Sequence, residues 1–147
     1  MNKLKVLKKL LYWLPVLGWA GVIFYLSGRT GNQLHQMFPF FTSFNWGHLA
    51  AYFILALFVA YALENTLAPQ RFKLWVVLIC FLYGISDEIH QYFVPGRSPE
   101  GGDLINDVLG AYIAVLFYAK IKVIFRKGLV SRTAGNHIDM KKEKRKI

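Results

Sequence analysis

The chain has 147 residues, 55% of them apolar and 16% aromatic, which exceeds the roughly 45–50% apolar share usual in soluble domains and, at this length, suits one compact membrane-embedded domain. Its single cysteine, Cys80, excludes an intramolecular disulfide and a multi-cysteine zinc site. The net charge of +10 sits mostly at the two chain ends beside hydrophobic segments, an arrangement that faces an anionic membrane surface and argues against a nucleic-acid partner.

The first residues carry Lys3, Lys5, Lys8 and Lys9, and the apolar run Leu10 to Leu26 follows. At about 1.5 Å per residue that run is just long enough to cross a bilayer. No clear small-x-small cleavage site follows it, so an uncleaved first span is expected rather than a secretory signal. Tyr12, Trp13 and Tyr25 suit its two interfaces, and Pro15 lies near its start, where a proline costs a helix least. Ser27 to Asn45 reads as a loop. Within it, Met37-Phe38-Pro39-Phe40-Phe41 is apolar but too short to cross, and is expected to be an interfacial or re-entrant piece.

Asn45 is placed as the N-cap of a second helix over about Trp46 to Leu63. In it Ala56 and Ala60, four apart, form a small-xxx-small pair that would let helices approach closely. A short loop from Glu64 to Lys73 leads to the third run, apolar from Leu74 to Ile85. Its helix is expected to reach Tyr92 or Phe93, because Pro95-Gly96 is the first strong breaker. A fourth helix is expected from an N-cap at Asp103 to about Tyr118 or Ile124. The basic residues 126–147 are expected to form a disordered tail outside a transmembrane domain of residues 1–125. The fold class is thus an all-α membrane helical bundle of about four transmembrane helices.

Sixteen of the eighteen basic residues lie in the N-terminal segment, the loop between spans two and three and the C-terminal region; Arg29 and Arg97 are the exceptions. With four spans, the positive-inside rule places those sixteen, and both termini, on the cytoplasmic side. The loops around Arg29 and Arg97 then face outward. No internal repeat is visible.

The stretch Ser86 to Gly110, SDEIHQYFVPGRSPEGGDLINDVLG, holds five of the eight acidic residues between two apolar segments. Residues three and four apart share a helix face, so Asp87, His90 and Gln91 form one set and Asp103, Asn106, Asp107 and Gly110 another. Glu88 points about 100° from Asp87. The second helix adds His48 and Tyr52. In the expected topology all three sets lie toward the same ends of their helices and converge. An Asp exposed at the centre of a span costs about +2.5 to +3.5 kcal/mol, so an inward pocket beside Arg97 is favoured over lipid. Each residue also has a plainer role. Asp103 would cap a helix, Asp107 would favour the helix dipole, His90 would sit at the interface and Glu100 would be solvated. His35 and His137 are expected to be uninvolved, and the glycines at 96, 101 and 102 read as turn residues. The whole set would then be a hydrogen-bond network that locks the bundle.

On Asp87, Glu88, Gln91, Phe93, Gly96-Arg97, Asp103, Asn106 and Gly110, with His48, Tyr52 and Ser27 upstream, the sequence resembles the VanZ-like family of bacterial integral membrane proteins. That family shows Asp-Glu-x-x-Gln-x-Phe, then Gly-Arg, then Asp-x-x-x-Asn or a close variant, then Gly. The Asp-to-Asn spacing is three here, and the resemblance covers about Leu10 to Tyr118. It implies a multi-pass protein of the bacterial cell membrane and a link to resistance to the glycopeptide teicoplanin. Some relatives carry the label phosphotransbutyrylase, for which this chain offers no acyl-CoA or phosphate-binding signature.

Three functions compete. In the first, an outward polar pocket of His48, Tyr52, Asp87, Glu88, Gln91, Arg97, Asp103, Asn106 and Asp107 binds a membrane lipid, a cell-wall precursor or a lipoglycopeptide, with the Arg97 guanidinium on a phosphate or carboxylate. In the second, a membrane enzyme acts on a lipid-linked phosphate. Its adjacent carboxylates, with His48 or His90, do acid–base work or hold a divalent metal. No nucleophile elbow, P-loop or HExxH motif is present, and the sequence assigns no cofactor and no metal-ligand set. The third, proton or ion translocation, asks much of four spans.

Overall fold

The structure is a computed structural model. It describes the backbone of residues 3–38, 45–67, 70–97 and 100–143, and side chains within these as far as residue 124, apart from that of Asn45. The expected apolar piece around Pro39 lies outside the described residues. All regular structure among the described residues is helical: α1 Lys3–Leu11, α2 Leu14–Ser27, α3 Gly31–Met37, α4 Asn45–Thr66, α5 Phe72–Tyr92 and α6 Gly101–Glu143. Three stretches, Lys3–Ser27, Trp46–Thr66 and Gly101–Ile124, are long and apolar enough to cross a membrane. The polar last turns of α5, with Asp87, Glu88, His90 and Gln91, set that helix apart from these three.

Several boundaries differ from the sequence expectation, each for a local reason. The first span is broken at Tyr12–Trp13, and Pro15 stands in the first turn of α2. Proline lacks the N–H of the regular ladder and its ring crowds the carbonyl four residues back, here Leu11, the last residue of α1. The loop after Ser27 contains a short helix that hydropathy does not show. Its start is a capping box, in which Thr30 Oγ1 accepts from the Gln33 N–H and Gln33 Oε1 accepts from the Thr30 N–H. Helix α6 begins two residues before Asp103, which therefore lies in its first turn and is not its cap. It also continues to Glu143, well beyond the expected end at Tyr118 or Ile124, because no proline interrupts residues 101–143.

The chain divides into two units, Met1–Val115 and Leu116–Ile147. The second is helical through Glu143. The first carries the core, in which Tyr52, Leu55, Ala56, Val59, Ala60, Ala62 and Leu63 of α4 are buried with Val76 and Cys80 of α5 and Ala111, Ala114 and Val115 of α6. Ala56 and Ala60 are both fully buried, as a packing face requires. The closest approach is at Gly110, where the Cβ of any other residue would collide with the Leu49 carbonyl oxygen. Large apolar side chains instead lie exposed along α2 (Leu17, Val22, Phe24), α5 (Leu74, Trp75, Leu82, Ile89) and α6 (Ile105, Leu109, Tyr112). A water-soluble monomer rarely exposes so many large apolar side chains; hydrocarbon solvates them without cost.

Candidate functional site: a carboxylate and histidine cluster beside an apolar cavity

Two long-range hydrogen bonds fix α2 against the other helices. Trp19 Nε1 donates to the Ala51 carbonyl at 2.9 Å, and the Tyr83 hydroxyl donates to the Ala20 carbonyl at 2.6 Å. Both accepting carbonyls are already engaged in their own helices, so each side chain adds a bond without leaving a backbone group unpaired. At the other end of the bundle, Lys9 Nζ donates to the Thr66 carbonyl at the C-terminus of α4, where a cation meets the negative end of the helix dipole.

Helical spacing then builds the polar end. Asp87 and Gln91, four apart on α5, are both buried, and Gln91 Nε2 donates to Asp87 Oδ2 at 3.2 Å. Asp103 and Asp107, four apart on α6, straddle one imidazole. Asp107 Oδ1 is 3.0 Å from His48 Nδ1, and Asp103 Oδ2 is 3.6 Å from His48 Nε2. One helical turn along α4, the Tyr52 ring stacks on His48 at a centroid separation of 6.4 Å, and Tyr83 lies 6.1 Å beyond it. Glu88 Oε2 accepts from the Glu100 backbone N–H at 2.9 Å, which ties the end of α5 to the segment leading into α6. The turn between them uses Gly96 at φ 77°, a backbone conformation open to glycine.

His48, Glu88 and Asp103 each bring one ligand-competent atom to a common point, all within 4.8 Å of one another. Asp107, fully buried, holds the opposite nitrogen of the same histidine. His48 lies in the fields of Asp107, Asp103 and Asp87, and Glu88 in those of Asp103, His48 and Asp107. The cluster is therefore rich in negative charge, and one imidazole sits at its centre.

A cavity of about 290 Å³ adjoins it. Its walls are Trp19, Val22, Ile23 and Leu26 of α2, Leu34 and Phe38, and Ala50, Ala51 and Ile54 of α4; its polar boundary is made by Ser27, His48, Tyr52, Asp87 and Arg97. Such a lining, mostly apolar with a few polar groups, is the usual form of a small-molecule site.

Of the residues singled out from sequence, His48, Tyr52, Asp87 and Arg97 border the cavity, and Glu88, Asp103 and Asp107 gather at His48. Gln91 acts on Asp87. Asn106 is half-buried on α6 and borders neither the cavity nor the His48 cluster as described. His90 is drawn away from the cluster and stacks on Phe24, with centroids 4.0 Å apart. The α2 wall of the cavity and the Trp19 and Tyr83 tethers carry no signal in the sequence, since apolar residues facing a cavity and facing lipid read alike. The Thr30-x-x-Gln33 box was a visible sign of α3, which brings Leu34 to the cavity.

A family model described as VanZ/LLP1 matches residues 12–126. Neither a curated protein nor a solved structure matches the chain. The matched segment takes in α2, α3, α4 and α5 whole and the apolar part of α6, and the chain belongs to the VanZ/LLP1 family.

Proposed function

We propose that this VanZ-family protein is a four-span protein of the bacterial cell membrane, with both termini cytoplasmic, that binds an amphipathic ligand in the cavity between α2 and α4. The ligand's apolar chain lies along Val22, Leu26 and Ile54, and its anionic headgroup meets the Arg97 guanidinium. The cavity's lining carries this reading: mostly apolar side chains, with His48, Asp87 and Arg97 among them. About 290 Å³ is the lower end of ligand-site volumes and accommodates part of a lipid tail rather than a whole lipid. A fork of guanidinium donors matches phosphate or carboxylate oxygens. Lipid-linked cell-envelope precursors and acylated glycopeptides such as teicoplanin have this two-part chemistry. The remaining span, third in chain order, is α5, whose polar turns face the site and not lipid. The basic segments at both chain ends and between α4 and α5 set the orientation.

Native mass spectrometry of the purified protein, loaded with bacterial lipid extract, tests the reading. The wild type retains an anionic lipid-linked species that Arg97→Ala loses; equal retention by both overturns the assigned headgroup contact. Susceptibility with and without the gene tests the drug-linked version. A rise in tolerance to teicoplanin, with a smaller effect on vancomycin, is expected, and no difference would contradict it.

The approach of His48 to Glu88 and Asp103 favours a second reading, a membrane enzyme that acts on a lipid-linked phosphate with His48 as acid or base. Product formed from lipid extract by the wild type and lost in Asp87→Asn and His48→Gln would select it over pure binding.

A further inference from the structure

We propose that His48, Glu88 and Asp103 form a binding site for a divalent transition-metal cation of the Zn²⁺ or Mn²⁺ type, with Asp107 as the group that orients the histidine. The proposal does not rest on what occupies the neighbouring cavity.

The first observation is distance. The three ligand atoms lie within 4.8 Å of one another, and the His48 Nε2 to Asp103 Oδ2 separation is 3.6 Å. Zinc bonds of about 2.0–2.2 Å in tetrahedral geometry put ligand atoms roughly 3.4 Å apart, so side-chain adjustments of a few tenths of an ångström to about an ångström close the set. The second is the tautomer. Asp107 Oδ1 sits 3.0 Å from His48 Nδ1 and can only accept, so Nδ1 carries the proton. That contact aims the other ring nitrogen, Nε2, at Asp103, 3.6 Å away. A cation bound between them takes the place of any proton on Nε2. A carboxylate on the far nitrogen of a metal-ligating histidine is the recurrent supporting contact at such centres. The third is unused capacity. Asp103 is more than nine-tenths buried, and its Oδ1 and the buried Glu88 Oε1 make no hydrogen bond among the described residues. Buried polar oxygens ordinarily have partners.

The donor set selects the class. One imidazole and two carboxylates suit zinc or manganese better than calcium, which takes six to eight oxygens, or magnesium, which favours oxygen and water. Three protein ligands leave coordination positions for water or for a phosphate or carboxylate oxygen, as in open metal sites.

The test uses the full chain, purified with a tag that contains no histidine, stripped with EDTA and reloaded with Zn²⁺ or Mn²⁺ alone. Equilibrium dialysis with elemental analysis should find about one tightly held cation per chain. Glu88→Gln and Asp103→Asn should each weaken that binding, and Asp107→Asn should weaken it roughly tenfold or more through the histidine. X-ray absorption on the loaded protein should show a mixed nitrogen and oxygen shell. Where a charge-removing variant fails to fold, Glu88→Asp keeps the charge but withdraws the ligand by one methylene and should weaken binding in the same direction. A wild type that retains no cation after dialysis, or variants that retain it with unchanged affinity, overturns the proposal. Either result leaves the lipid-retention test with Arg97→Ala standing, since that test reads a different residue and a different ligand.

Discussion

The two ends of the Met1–Val115 unit solve the same packing problem with opposite chemistry. At one end α4, α5 and α6 bury small and branched apolar residues: Ala56, Val59, Ala60, Val76, Ala111 and Val115. At the other, the same three helices bury Asp87, Gln91, Asp103 and Asp107, with half-buried His48 between them. Lipid tails are as apolar as leucine, so the apolar end gains its stability from close contact and not from expulsion of water. The polar end gains less and risks more, because a buried carboxylate that loses its partner is strongly unfavourable. A chain selected only for a stable bundle would extend the first solution to both ends. The second solution is what the proposed ligand site requires of the bundle.

Substitutions at each end sharpen that contrast. The largest expected effect is at the crossing of α4 and α6. Gly110→Ala forces a methyl group against the Leu49 carbonyl and should cost about 3 kcal/mol, the upper end of overpacking penalties, read as a fall in the denaturation midpoint in detergent. Asp107→Leu comes next. It leaves the His48 Nδ1–H without its acceptor and should cost about 1–3 kcal/mol by the same measurement. Gly84→Ala places a Cβ 2.9 Å from Leu104 Cδ1 and 3.0 Å from Asp107 Oδ2, so the penalty should be about 1 kcal/mol, with Leu104 giving way. The smallest effect is at Tyr52, fully buried, whose hydroxyl makes no hydrogen bond among the described residues. Tyr52→Phe should leave stability within about 0.5 kcal/mol, and a large loss would show that the hydroxyl has a partner essential to the fold.

The sequence makes the polar end more legible than the cavity beside it. Asp87 with Gln91, and Asp103 with Asp107, stand out because ionisable residues at helical spacing are rare inside apolar segments, and their positions alone argue that they face one another. The link from Asp107 to His48 is visible only in part, since a residue near a helix start also reads as a dipole partner. The cavity wall is invisible. Ile23 and Leu26 differ in no sequence property from Leu17 or Phe24, which lie exposed. Their role depends on how far α2 stands from α4 and α5, and that is set by the Trp19 bond to Ala51 and the Tyr83 bond to Ala20. The long α6 escaped for a different reason: basic, polar residues after Phe125 signal the end of a membrane segment, but no proline among them breaks the helix.

Site-specific photo-crosslinking in cells tests the ligand site most directly. A photoreactive phenylalanine analogue replaces Ile54, in the cavity wall, or Leu82, exposed on α5, and the adducts are identified by mass spectrometry. Position 54 should capture a distinct lipid-linked anionic species that is lost when Arg97 is changed to Ala, while position 82 captures bulk phospholipid. The same bulk phospholipids at both positions, with no dependence on Arg97, would contradict a ligand site at the polar end of the bundle.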